Sequence, residues 1–324
     1  MIVTPDADHI ARAAALLRAG ELVALPTETV YGLGADAGNP AAVAKIFAAK
    51  NRPADHPLIV HLADAEALTQ WAREIPKEAI ALARAFWPGP LTLILKKEED
   101  VPPEVTGGQD TVGLRVPDHP VALALLRAFG GGVAAPSANR FGRISPTTAR
   151  HVFDELGESV ALVLDGGACQ VGIESTILDL SRGEPVILRP GMIGVDAIAA
   201  VIGRRPRMPQ RQEDAPRVSG ALAAHYAPST PMKMVDALAL LSAPAEAAVL
   251  AREAMRPRHF TGRWINAPQD AAGFAHDLYA NLRALDAAAA GSILVESLPE
   301  DGDWDALRDR LGRAVVGSGE QDET

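Results

Sequence analysis

Apolar runs that stop at a proline, with polar side chains hung on the break, recur through the first two hundred residues. The first of them constrains the fold most. In LVALPTETVYGLGADA, Leu22 to Ala37, a buried-strand pattern ends at Pro26, a Thr-Glu-Thr tract follows, and two glycines stand two residues apart. The closing GLGADA has the outline of a dinucleotide-binding fingerprint, with Asp55 following at about the usual distance of roughly 20 residues. That fingerprint needs its first glycine to end a strand and its second to open a helix. Here PTETVY intervenes, and the helix signal comes later at Asn39-Pro40, so a nicotinamide enzyme is set aside. What remains is a glycine turn behind a polar loop, which does not account for two hydroxyls and a carboxylate beside a core strand.

The rest of the chain alternates helix and strand signals. Residues 6–19 read as a helix, and NPAAVAKIFAAK as a second one, capped by Asn39 and opened by Pro40. AEALTQWA, KEAIALARAF, HPVALALLRAF and TTARHVFDEL also read as helices. ELVAL, HPLIVHL, LTLIL, TVGLRV, GGVAAP, VALVLD, STILDL and PVILRP read as strands. The order predicts an α/β fold on a mixed, not purely parallel, sheet. Residues 204–231 lose the hydrophobic period and are rich in proline and arginine, which predicts a linker. Beyond it MKMV, EAAVLA, a long alanine-rich helix, GSILVES and DWDALRDRLGRAVV predict a smaller α/β unit over 232–318, with a disordered tail at 319–324.

Composition narrows the function. The net charge of −10 argues against a general polyanion-binding surface, so any phosphate affinity must be local. The single cysteine, Cys169, excludes an intrachain disulfide framework and suits a reducing compartment. No long apolar span or leader is read, and a cytoplasmic location is expected. There is no zinc-ligand spacing, no G-x-S-x-G and no Walker A.

Polar groups in apolar settings supply the candidates. Lys50 and Arg52 stand two apart around a helix end, with Pro53 forcing Arg52 toward extended backbone, so both cations can aim at one anion. In VAAPSANRFGRISPTT a strand meets Pro136, and Ser137 and Asn139 follow two apart, a loop suited to an anion or to an ordinary turn. Arg115 sits inside a strand and requires a carboxylate, from the protein or from a ligand. Glu174, Ser175 and Thr176 precede another strand, and Arg189 ends one. An internal ion pair would satisfy any one of the charged groups among them.

Taken in order, PTETVYGLG, KNRP…PLIVH, WPGPLTLIL, TVGLRVP, PSANRFGRISPT, ESTILDL and LRPG resemble the L-threonylcarbamoyl-AMP synthase (YrdC-like) family, in its long form with a linker and C-terminal domain. The resemblance implies an open, twisted mixed sheet around a concave groove in residues 1–203, a linker at 204–231 closing over the site, and a Rossmann-like C-terminal unit. It implies the reaction of L-threonine, bicarbonate and ATP to threonylcarbamoyl-AMP and pyrophosphate. A separate transferase complex would use the product to modify tRNA beside the anticodon. By similarity, Lys50, Arg52, Ser137 and Asn139 hold ATP phosphates and the carbamate, with Lys50 and Arg52 catalytic. His56, Thr111, Ser145, Arg189 and Tyr226 match further nucleotide contacts. Thr29, His61, Arg115, Ser137 and Ser175 match the threonine site. Mg²⁺ is implied on the phosphates. The chain departs from the pattern at Ala223 and Ala224, where relatives carry basic residues before His-Tyr. The competing expectation is an RNA-binding module using the groove, disfavoured by net acidity and an aromatic content of 4%.

Overall fold

The computed structural model describes residues 1–208 and 216–319. The chain divides into two compact units. The first comprises residues 1–141, 146–170 and 174–221. The second comprises 142–145, 171–173 and residues from Leu222 onward. The division thus falls inside the expected linker, whose residues 209–215 lie outside the described ones, as do residues 320–324 of the expected tail.

The first unit is built on ten strands: β1 (Ile2–Val3), β2 (Val23–Leu25), β3 (Gly32–Asp36), β4 (Ile59–His61), β5 (Leu91–Lys96), β6 (Thr111–Arg115), β7 (Val133–Ala134), β8 (Leu162–Leu164), β9 (Thr176–Asp179) and β10 (Val186–Arg189). They pair in the order β1-β8-β2-β3-β7-β4-β6-β5-β9-β10. β4–β6 and β5–β9 are parallel, while β5–β6 and β9–β10 are antiparallel, which is the mixed sheet expected. GLGAD is β3, not a turn. Its glycines serve sheet packing: a Cβ on Gly34 would stand 3.0 Å from Leu25, Val133 and the Val23 carbonyl. AEALTQWA forms only a 3₁₀ segment at Glu66–Gln70.

Local chemistry fixes the helices α1 (Ala7–Arg18), α2 (Pro40–Lys50), α3 (Lys77–Phe86), α4 (Pro103–Thr106), α5 (Pro120–Phe129), α6 (Ala149–Leu156) and α7 (Val195–Ile202). Asp6 caps α1 by accepting from the His9 amide, and Asn39 caps α2 by accepting from Ala41 and Ala42. α2 stops at Asn51, whose φ of 51° is left-handed, leaving Lys50 as the last helical residue.

Strand alternation assigns the faces. Val60, Leu93, Leu114 and Leu178 point into the main core. On the opposite face, α1 and α5 cover one half of the sheet with Ile10, Leu17, Leu125 and Leu126 over Val23, Leu25 and Val133. The other half of that face carries a cross-strand row. His61 is in register with Arg115, Thr92 stands one step beyond the Leu93–Leu114 pair and so beside Arg115, Thr92 is in register with Ile177, and Ile177 with Arg189. His61, Arg115, Thr92 and Arg189, polar residues of four different strands, therefore share one line across the sheet.

The second unit holds β11 (Met232–Val235), β12 (Ala248–Ala251), β13 (Trp264–Asn266) and β14 (Ile293–Glu296), all parallel, in the order β11-β14-β12-β13. α8 (Ala237–Leu240), α9 (Ala271–Asp286) and α10 (Asp305–Gly319) accompany them. α10 runs through Gly319, so the tail expected from that residue begins in helix.

Candidate active site

The Thr-Glu-Thr tract of the opening stretch is a rigid turn. Thr27 Oγ1 donates to the Val30 carbonyl at 2.6 Å and accepts from the Thr29 and Val30 amides. A hydroxyl has one proton, so in the 2.8 Å contact between Thr27 and Thr29 it is Thr29 that donates, leaving its own lone pairs for another group. Glu28 supplies the carboxylate that Arg115 required: Oε1 accepts from Arg115 Nη2 at 2.6 Å, both side chains being buried. His61 lies beside Arg115. Burial and the Arg115 charge push its pKa down to about 3, so the ring is neutral, and its Nδ1 is buried without a hydrogen-bond partner.

Further along the row, Ser175 Oγ lies 2.8 Å from Thr92 Oγ1 and accepts from Arg189 Nη2 at 3.1 Å. Arg189 also donates to the carbonyls of Ser175 and Ser219. Arg52 reaches the same residue, Nη1 standing 3.5 Å from Ser219 Oγ, and donates to the Pro57 carbonyl at 3.0 Å. Lys50 Nζ donates to the carbonyls of Ser137 and Asn139. Burial, and secondarily the Arg52 charge, hold its pKa well below the usual lysine range. The Ser137 loop returns to the Thr-Glu-Thr turn, since the Ala138 amide donates to the Tyr31 carbonyl and Ser137 bridges Gly32.

These contacts close a ring: Lys50, Ser137, the Glu28 turn, Arg115, Thr92, Ser175, Arg189, Ser219, Arg52 and back to Lys50. Stretches far apart in the sequence meet there. Beside it Thr111, Ile59, Ile94, Gly113 and Ile177 line a narrow, half-open recess, with Arg217, Val218 and Ser219 also on its lining. Val218 packs on Ile59, Ile94, Ile177 and Leu188. His56 directly precedes Pro57 of that lining, its ring stands 5.2 Å from Phe141, and burial lowers its pKa. Asn139 is buried and donates to the Arg140 carbonyl.

Ser145 and Tyr226 belong to the second unit. Tyr226 is buried, adopts a φ of 61°, and lies between the Tyr279 ring at 5.8 Å and the Arg310 guanidinium at 5.2 Å. Sequence reasoning gave no role to Glu28, Thr92 or Ser219. Thr92 was discoverable, as the polar residue on the alternate face of LTLIL. Ser219 was not, because nothing local distinguishes it.

A family model described as telomere recombination (Sua5/YciO/YrdC) matches residues 15–191. The chain belongs to the Sua5/YciO/YrdC family. A second model, the threonylcarbamoyl-AMP synthase C-terminal domain, matches residues 193–315, so this family member carries the two-domain arrangement. It is 41% identical over 330 residues to the threonylcarbamoyl-AMP synthase of Bacillus subtilis, with 95% of this chain and 93% of that one covered. It is 48% identical over 227 residues to the Pyrococcus abyssi synthase, covering 69% of this chain and 67% of that one. Among solved structures, the P. abyssi Sua5 complexed with L-threonine superposes with a TM-score of 0.90 at 37% identity, covering 98% of each chain. The likeness to Sua5 thus extends along nearly the whole chain. No helix of the described residues is long and apolar enough to cross a membrane.

Proposed function

We infer that this chain forms threonylcarbamoyl-AMP from L-threonine, bicarbonate and ATP, releasing pyrophosphate. The observation that carries the reading is the closed ring, in which groups suited to an amino acid adjoin groups suited to phosphate, in a chain 41% identical along nearly its whole length to a synthase of that name. The likeness to synthases favours this over an RNA-binding module.

Arg115 offers a fork for the threonine carboxylate. Neutral His61, Thr29 and Ser175 offer donors and acceptors to its hydroxyl, so an analogue lacking that hydroxyl would leave buried groups unpaired. The threonine amine takes the carbon of bicarbonate, water leaves, and a carbamate results. A carbamate oxygen then attacks the α-phosphorus of ATP, and pyrophosphate departs. No protein nucleophile is needed. Lys50 and Arg52 neutralise charge that develops on the phosphates, and Arg189 adds a third cation to the same wall. Ser137 and Asn139 position the carbamate and phosphates, and Thr111 and His56 border the nucleotide. The segment Arg217–Ser219, tied to Gln109 by two hydrogen bonds, excludes water from this end.

Among the described residues no group of three or more His, Cys, Asp or Glu could hold a metal. The donor set is cationic, so Mg²⁺ does not fit as a resident ion of the protein and belongs with ATP as part of the substrate. The product is a reactive mixed anhydride, which calls for a separate transferase acting on tRNA. One assay tests the reading: incubate the protein with ATP, bicarbonate and single amino acids. Pyrophosphate is expected with threonine and not with valine or alanine. Release that ignores the amino acid would overturn it.

A further inference from the structure

Glu28 is the member of the Thr-Glu-Thr turn with no part in the chemistry above. It is 3% exposed, and both carboxylate oxygens are committed: Oε1 to Arg115 Nη2 at 2.6 Å, Oε2 to the Asp118 amide at 3.0 Å. Arg115 is tethered a second time, Nε donating to the Gly89 carbonyl at 3.2 Å. The guanidinium is thus held at Nε and Nη2 by two separate segments. Its Nη1 makes no hydrogen bond to a described residue. Beside it on the same sheet face is His61, whose buried Nδ1 also lacks a partner. A buried ion pair that served stability alone would have no reason to leave one edge of the guanidinium beside a second unsatisfied polar atom, since well-packed apolar residues stabilise as well or better.

We propose that Glu28 is a positioning residue for threonine. Fixed through the Asp118 amide, it holds Arg115 so that the Nη1 edge is presented to the substrate carboxylate beside His61. The turn that carries it is locked by Thr27, so the carboxylate cannot drift. The pairing also leaves this end of the site without net charge before substrate arrives, because Glu28 balances Arg115 and His61 is neutral. Threonine is then recognised by the direction of a guanidinium edge, not by bulk attraction of its carboxylate to a bare cation. The proposal rests on the reading that Arg115 binds the threonine carboxylate.

Three full-length variants separate the two ideas. Glu28→Gln keeps the shape and loses the charge. Glu28→Asp keeps the charge and cannot span from the turn to both Arg115 and the Asp118 amide. Arg115→Met removes the fork. Steady-state KM for threonine and for ATP is measured by pyrophosphate release, and threonine binding is measured by calorimetry. Both Glu28 variants are expected to raise the threonine KM about tenfold, with ATP KM within about twofold of the parent, since only one substrate's geometry is disturbed. A purely structural role would move both constants together, and that result overturns the proposal. Threonine binding unchanged in both Glu28 variants but abolished in Arg115→Met overturns it while leaving the Arg115 reading intact. Threonine binding unchanged in Arg115→Met overturns both. Should one Glu28 variant fail to fold, the other carries the same test.

Discussion

Lys50 Nζ donates to the Ser137 carbonyl at 2.5 Å, joining the end of α2 to the loop that follows β7 across 87 residues of sequence. The Asn139 carbonyl accepts from the same ammonium. Both partners are neutral, and burial and Arg52 disfavour the charged form. A phosphate is the group that would restore that form. Lys50→Met is expected to cut turnover by roughly 10²-fold or more, with the threonine KM little changed. On the proposal that Lys50 meets the ATP phosphates, binding takes its protonated form, so the ATP KM should climb as pH rises through the free-enzyme pKa of this lysine. The pH dependence of ATP KM, flattened in Lys50→Met, is the measurement that checks it.

His61 gives a second pH dependence, this time of stability. Its folded pKa of about 3 lies below the ordinary histidine value of 6.5, so between these limits the unfolded chain binds the proton that the folded one refuses. Its contribution therefore holds above pH 6.5 and is lost as pH falls from there toward 3, at up to about 1.4 kcal/mol per pH unit. Replacing the ring by His61→Gln removes that slope. Urea unfolding of parent and variant at pH 7, 6 and 5 should give curves whose difference shrinks as pH falls. Parallel curves would show that the ring titrates normally.

Much of this was legible where the cause is local. The Asn39-Pro40 cap, the left-handed stop at Asn51 and the alternation of LTLIL are written within a few residues, and they place Lys50 and Thr92. Arg115's need for a carboxylate was also legible, but its source was not. Glu28 is 87 residues away, and a pair is chosen by the fold. β3 was read as a turn because glycines punctuate chains locally. Gly34 is instead selected by Leu25 and Val133, which crowd it from neighbouring strands. Val218 and Ser219 lie in a tract without hydrophobic period, and only the assembled sheet face and two arginines give them an ordered place.

Gly191 follows β10, and a Cβ there would stand 2.4 Å from the Thr176 amide nitrogen and 2.8 Å from the Ser175 carbonyl carbon. These are backbone atoms, so no rotamer change relieves the clash. The Thr176 amide is itself bonded to the Pro90 carbonyl, which keeps the start of β9 from sliding. Gly191→Ala should cost about 3 kcal/mol and shift Ser175 relative to Thr92 and Arg189. Thermal unfolding and the threonine KM should both worsen. A variant as stable as the parent would mean that the 190–191 turn is looser than these distances state.

The second unit offers a test confined to itself. Glu296 ends β14 with its side chain buried, and Oε2 accepts from three consecutive amides, those of Arg252, Glu253 and Ala254, at 2.7, 2.9 and 3.0 Å. Three converging N–H groups at the end of a parallel strand form the kind of nest that elsewhere holds an anion. Here the protein fills it with its own carboxylate and thereby locks the loop after β12. Glu296→Ala leaves those donors without that acceptor and should cost about 2 to 4 kcal/mol, charge-assisted bonds being the stronger ones. Hydrogen exchange reads the effect residue by residue. Protection should fall at Arg252–Ala254 and along β12, whereas the amides of β5 and β6 in the first unit keep theirs. Equal loss in both sets would mean that the carboxylate supports the whole chain and not this loop.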